Sequence, residues 1–219
     1  MSAPVVFVHD LRGSTADWPA DDWPTDLPVA TLVELPGHGS AASVRFTVPG
    51  AVTAILGAID AVDEPPVVVG AGIGAHLAAL AISDRVVRGL VAVGCGTEPL
   101  GWLADSYRIA SVTAPLLGES GAAVSGWAAS TFVGDASRQP GFEAVLGQLH
   151  RLDVRENLRR VDAPVRLLNG SRDRYRMQER AFLRACRNGR LVRVAGSTAR
   201  LTEPDVATAL AATVAELAG

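Results

Sequence analysis

Apolar residues along this chain fall into short β-branched runs separated by longer amphipathic stretches. Near-continuous apolar runs occupy 5–8, 29–33, 67–69, 87–93, 165–168 and 191–194. Runs of that length without polar alternation suit strands buried on both faces. Helical spacing of apolar positions covers 52–62, 73–82, 179–187 and 205–217. Pro49 and Pro204 stand where helices should begin, and Pro4, Pro66 and Pro164 stand where strands should open. The pattern is a βαβα series, which predicts a mostly parallel sheet of about six strands with helices on both faces.

The alternation breaks once, over residues 97–150, which are mostly small and helix-compatible with Trp102, Tyr107, Trp127 and Phe132 scattered among them. This stretch reads as a short helical cap inserted in a single domain spanning 1–219. Open α/β sheets bind ligands at the carboxyl ends of their strands, so a cap leaving from such an end would roof a small-molecule site. The segment TADWPADDWPTDLP, residues 15–28, fits either a mobile surface loop or an ordered approach to the next strand.

Composition narrows the function classes. Of the 219 residues 48% are hydrophobic, enough for one sizeable core. The formal net charge of −3 lacks the broad basic footprint of a nucleic-acid binder. Every basic side chain apart from histidine is Arg, which suggests a GC-rich bacterial genome. Cys95 and Cys186 form neither a disulfide framework nor a zinc spacing. The first ten residues lack the basic region and long apolar run of a signal peptide, and no apolar run is long enough to span a membrane. The expectation is a cytoplasmic protein with no membrane or nucleic-acid partner, no metal and no cofactor. Oligomeric state is not legible.

Five segments resemble the α/β-hydrolase family of the capped, single-domain type, in the family's order. VVFVHDLRGSTADW is similar to its first-strand loop, and LVELPGHGSA to the segment after the next strand, with Glu34 for the usual Asp. VVVGAGIGAHLAAL matches the G-x-S-x-G nucleophile elbow except at the Ser, which is Gly72. PVRLLNGSRDRY resembles the segment that supplies the triad acid, placing Asp173 there. VRVAGSTARLTEP resembles the segment that supplies the triad His, where Ser197 stands. The resemblance implies an α/β-hydrolase fold that begins at the third strand of larger members.

It also implies that two triad roles are empty. Glycine carries no nucleophile, and a serine is no base near neutral pH. Elbow strain costs on the order of 1–3 kcal/mol, and glycine keeps such a turn without it. The family's oxyanion hole is made of backbone N–H groups, here those of Leu11 and Ile73, beside a helix N-terminus that favours negative charge. A site for a carbonyl oxygen, carboxylate or other anion is therefore expected at those two groups, with Arg12 within reach. Asp10 stands where the family usually has Gly. It could act as a base, bind a cation, pair with Arg12 or cap its own loop.

The remaining polar residues have plain alternatives. Asp173 could merely cap the following helix. His9 and His38 read as structural, His76 as a hydrogen-bonded interior residue, and His150 as exposed. Cys95 is either a nucleophile or a small buried hydrophobe, and Arg172, Arg174 and Arg176 read as a solvated face. Three functions fit. The first is a divergent enzyme of lyase, isomerase or cyclase type, acting on a small carbonyl or carboxylate compound. There Asp10 and Asp173 are catalytic, and Leu11, Arg12, Gly72, Ile73 and Ser197 bind substrate. The second is an inactive pseudohydrolase that binds a ligand or serves as an accessory protein. The third is a hydrolase with a relocated nucleophile, Cys95 or Asp10.

Overall fold

The computed structural model describes all residues except 1–2, 12, 22, 26, 28–29, 99–147, 150 and 174–175. Arg12, Arg174, His150 and nearly all of the expected cap therefore lie outside the described residues.

Strands β1 (Val5–Val8), β2 (Ala30–Val33), β3 (Val67–Ala71), β4 (Gly89–Val93), β5 (Val165–Gly170) and β6 (Gly189–Val194) form one sheet. Its order is β2-β1-β3-β4-β5-β6, and every neighbouring pair is parallel. The expected six-stranded parallel sheet is thus present. Burial on both faces holds for the inner strands β1, β3 and β4. The edge strands β2 and β6 expose part of their length, because each has only one neighbour and less cover.

Side chains alternate across the pleat, and two cores result. Val6, Val8, Val68, Leu90, Ala92 and Leu167 face one side, beneath α1 (Val48–Asp60), α2 (Ile73–Ala81), α3 (Val154–Arg160) and α4 (Glu179–Ala185). Val5, Phe7, Val69, Val91, Val93 and Leu168 face the other, beneath α5 (Pro204–Ala218) and Trp18.

Helix starts follow the sequence. The Thr47 hydroxyl accepts the Gly50 N–H at 3.0 Å, with Pro49 in the first turn of α1, so that helix begins earlier than its apolar spacing indicates. Pro204 opens α5. Helix α3 was not legible. It has only seven residues, with Asp153 capping the Glu156 N–H at 2.9 Å and Arg159 and Arg160 in the last turn. Its buried residues are Val154, Asn157 and Leu158, too few to set a period.

The Trp-rich segment resolves as an ordered approach where it is described. Ser14 and Asp17 form a reciprocal cap on a short 3-10 turn. Trp18 is then buried against Phe7 with ring centroids 4.8 Å apart, and Trp23 stacks on it at 4.4 Å.

The order of strands fixes where a site can form. From β1 the chain goes outward to β2, then returns across β1 to β3, so the loops after β1 and β3 diverge from adjacent strand ends. This is the topological switch point of an open α/β sheet. Helix α2 approaches it closely: a Cβ on Gly74 would lie 2.3 Å from the His9 carbonyl oxygen and 2.6 Å from that of Val8.

Backbone atoms cannot yield as side chains can. Gly74→Ala is expected to destabilise by about 1–3 kcal/mol, seen as a lower urea midpoint at unchanged m. Gly57→Ala, on the exposed face of α1 with nothing within 4 Å of the new Cβ, is expected to stabilise by about 0.4–1 kcal/mol, seen as a higher urea midpoint.

Candidate active site

The loop after β1 is pinned by two histidines. His9 is fully buried. Its Nδ1 donates to the Asp10 carbonyl at 2.7 Å, and its Nε2 accepts the Leu35 N–H at 3.0 Å. Burial is the main force lowering its pKa. That ring is therefore neutral, and the Glu34 carboxylate 3.1 Å from Nε2 is not an ion-pair partner. Glu34 is instead held by the Thr15 hydroxyl at 2.9 Å. His38 sets its ring nitrogens 2.9 Å from the carbonyls of Pro36 and Leu11. Both histidines are thus structural, as expected, and they fix the path of residues 9–11.

That path aims the Asp10 side chain at the turn after β3. Gly72, between β3 and α2, has φ 53° and ψ −121°. This is the positive-φ region where a side chain is strained. Its N–H donates to the Val93 carbonyl at 2.8 Å, which ties the turn to the end of β4. The Ile73 N–H donates to Asp10 Oδ1 at 3.0 Å. A Cβ on Gly72 would lie 2.4 Å from Asp10 Oδ1 and 2.5 Å from its Cγ. The Asp10 carboxylate thus fills the space a side chain at residue 72 would need.

The sequence reading puts the Ile73 and Leu11 N–H groups in a site for an external carbonyl oxygen, carboxylate or other anion. In this structure Asp10 reaches across the switch point and accepts the Ile73 N–H, so the helix start, which favours negative charge, meets a carboxylate of the chain itself. Leu11 has a buried side chain, and its carbonyl is bonded to His38.

Asp173 and Ser197 form a second group, on the loops after β5 and β6. Asp173 is buried, its N–H donates to the Gly170 carbonyl at 3.1 Å, and its Oδ2 lies 3.6 Å from the Cβ position of Gly94. The Arg172 N–H donates to the Ser197 carbonyl at 2.8 Å, which joins the two loops. Ser197 is buried with its Oγ accepting the Ala199 N–H at 2.8 Å. That bond braces Ala199 at φ 64°, so the hydroxyl serves the turn. Gly94, beside Asp173, follows directly on Val93, which holds Gly72. The two groups therefore flank the end of β4.

Of three further polar residues, His76 and Arg176 depart from their sequence reading, and Cys95 keeps one of its two. His76 is buried, but neither ring nitrogen has a hydrogen-bond partner among the described residues. Each buried polar group left this way costs about 1–3 kcal/mol. Burial pushes its pKa down to about 4, against a smaller opposing pull from the Asp10 charge. Cys95 is buried, its thiol pushed up by burial and so kept protonated, which fits the small hydrophobe and not the nucleophile. Arg176 is not simply solvated: it lies 3.5 Å from the buried Glu179, which Arg193 also contacts and Asn169 approaches at 3.5 Å. Asn169 in turn accepts the Cys95 N–H at 3.2 Å, so this network stiffens the ends of β4 and β5. Arg172 is exposed, as expected. Among the described residues no group of three or more His, Cys, Asp or Glu could hold a metal ion.

The sequence model described as the alpha/beta hydrolase family matches residues 5–212. The chain belongs to the alpha/beta hydrolase family. No curated protein sequence matches it. Among solved structures it is similar to the putative non-heme bromoperoxidase BpoC from Mycobacterium tuberculosis H37Rv, at 18% identity and TM-score 0.73 over 100% of this chain and 94% of that one. NosK from Streptomyces actuosus matches at 20% identity and TM-score 0.68, covering 99% of this chain and 97% of that one. The enol-lactonase from Burkholderia xenovorans LB400 matches at 16% identity and TM-score 0.69, covering 99% and 91%. At these identities the likeness concerns the fold. Among the described residues no helix of this hydrolase-family chain is long and apolar enough to cross a membrane.

Two outcomes follow from this geometry. Gly72→Ala should cost about 2–4 kcal/mol, from positive φ and from displacing Asp10. In an Asp10→Gly background the second part should vanish, leaving a coupling of at least about 1 kcal/mol in a urea double-mutant cycle. Acid stability should depend on His76. The unfolded ring takes its proton near the ordinary imidazole value of 6.5 and the folded ring only at about 4. Stability is therefore whole above pH 6.5 and falls as pH drops toward 4, by on the order of 3 kcal/mol from this ring. His76→Phe should remove that part of the slope in urea midpoints measured from pH 7 to pH 4.

Proposed function

We propose that this hydrolase-family chain is an enzyme without a Ser-His-Asp triad, in which Asp10 is the acid–base group. It acts non-hydrolytically, by lyase, isomerase or cyclase chemistry, on a small carbonyl compound bound under the segment 97–150. The observation that carries the reading is the Asp10 carboxylate at the place of the missing side chain of residue 72, held by the Ile73 N–H. An elbow with glycine at its apex supplies no attacking oxygen. A carboxylate there supplies a base. Proton transfer by a positioned side chain contributes about 10²–10⁴-fold.

The other expected residues keep secondary places in this reading. Leu11 offers its backbone beside Asp10, Arg12 follows it in the loop, and Asp173 supplies a second carboxylate near the end of β4. Ser197, whose hydroxyl accepts the Ala199 N–H, is tied to the Asp173 loop through the Arg172 N–H. A hydrolase with Cys95 as nucleophile is disfavoured by the buried, protonated thiol.

The same hydrogen bond favours a second reading. A carboxylate that already satisfies Ile73 could be an internal ligand that retires the site and leaves a binding protein. Proton exchange separates the two. In the enzyme reading the protein speeds exchange of α-C–H for deuterium in small ketones, followed by NMR in D₂O. Asp10→Asn should then lower the rate at least about a hundredfold. Ketones that bind without exchange would support the binding protein. Wild-type turnover of p-nitrophenyl esters that is lost in Asp10→Asn would overturn both readings in favour of a relocated nucleophile.

A further inference from the structure

The proposed acid–base role of Asp10 leaves a chemical gap. A base that removes an α-proton produces an enolate, whose oxygen needs a hydrogen-bond donor. The family's elbow would supply the Ile73 N–H, but Asp10 consumes it. A donor must come from another group on the same turn.

His76 has the right position and the right deficit. It lies four residues after Gly72 and three after Ile73, on the same stripe of α2. Helical side chains lean toward the N-terminus of their helix, and that is the end of α2 where Asp10 accepts the Ile73 N–H. The Asp10 charge acts on the ring, and the ring of Phe182 backs it with centroids 6.1 Å apart. His76 is 4% exposed, and neither of its nitrogens has a hydrogen-bond partner among the described residues. Interior histidines that serve packing normally bond at least one nitrogen. This one is held neutral, so it keeps one N–H donor and one acceptor. A neutral imidazole that polarises a carbonyl beside a carboxylate base is an established division of labour in proton-transfer enzymes.

We infer that His76 is a catalytic residue of the Asp10 site, donating a hydrogen bond to the carbonyl oxygen of an uncharged, enolisable substrate. The inference rests on the proposed role of Asp10. In the step, the α-C–H bond breaks and its proton goes to Asp10. Its electron pair forms the C=C bond, and the carbonyl π pair moves to the oxygen that His76 holds. Reprotonation at carbon reverses the flow. The total charge of Asp10 and substrate together stays at −1, passing from the carboxylate to the enolate. A substrate carrying its own carboxylate at this position would break that balance beside Asp10.

The test uses the full chain with ¹⁵N-labelled histidine and two methyl ketones, pentan-2-one and its anionic counterpart 4-oxopentanoate. Long-range ¹H–¹⁵N spectra at pH 7 should show His76 as a neutral ring with one protonated nitrogen. Pentan-2-one should move that N–H signal and exchange its α-protons, and 4-oxopentanoate should do neither. His76→Gln, which retains an N–H donor, should retain more exchange than His76→Leu. A protonated ring at pH 7, a ring signal that pentan-2-one leaves in place, or an equal response to the two ketones would overturn the assignment. Exchange that depends on Asp10 with His76 unmoved would remove His76 and leave the role of Asp10 standing. A moved His76 signal with exchange indifferent to Asp10→Asn would remove the role of Asp10, and with it this mechanism.

Discussion

The close approach of helix α2 to the end of β1 constrains everything around the site. Because β1 lies between β2 and β3, the loops that leave β1 and β3 start side by side and turn apart. The first turn of α2 must then pass within van der Waals distance of the Val8 and His9 carbonyls, which only a glycine at position 74 permits. Once that contact is made, the N–H of Ile73 points at the loop after β1. Whatever side chain that loop carries at position 10 meets it.

In this protein the side chain is a carboxylate, and the consequences are electrostatic. A helix N-terminus stabilises a negative charge, so Asp10 is well placed as an anion and poorly placed to let a second anion in. His9 and His38 hold the loop by hydrogen bonds to main-chain groups, which fixes the carboxylate. His76 is kept neutral by burial on the adjacent turn. The turn is thus built around the Asp10 carboxylate and the neutral ring of His76, which is a different electrostatic pattern from an empty hole waiting for an oxyanion. Stability is spent there too, since an unpaired buried imidazole and a positive-φ turn are both features a fold would otherwise avoid.

The second group of residues forms a buried framework of its own at the end of β4. Asp173 remains buried beside Gly94, and the Asn169, Glu179, Arg176 and Arg193 network braces the strand end beneath it. The residue facing it across the loops, Ser197, gives its hydroxyl to the Ala199 turn. The loops after β5 and β6 are thereby held together at the strand ends.

Much of this fold was legible before any coordinates. Apolar runs marked all six strands because parallel inner strands are buried on both faces and need no polar alternation. Pro49 and Pro204 marked helix starts because a missing N–H is harmless in a helix's first turn. The glycine-rich run 70–74 marked the tight turn, and Asp10 stood out as an acid where the resembling family has glycine. Other features were invisible for physical reasons. Helix α3 is too short to display a period and is held by Asp153 and by packing. The burial of Trp18 depends on Phe7 lying under it across the sheet, which a linear reading cannot separate from an exposed tryptophan. The direction of the Asp10 side chain, the orphaned ring of His76 and the turning of Ser197 toward Ala199 are properties of neighbours distant in sequence. The residues present at each position, and hence the absence of a nucleophile at Gly72, were determined by the sequence alone. Which of them meet, and therefore where the charge sits, was decided only when the strand order brought the loops after β1 and β3 together.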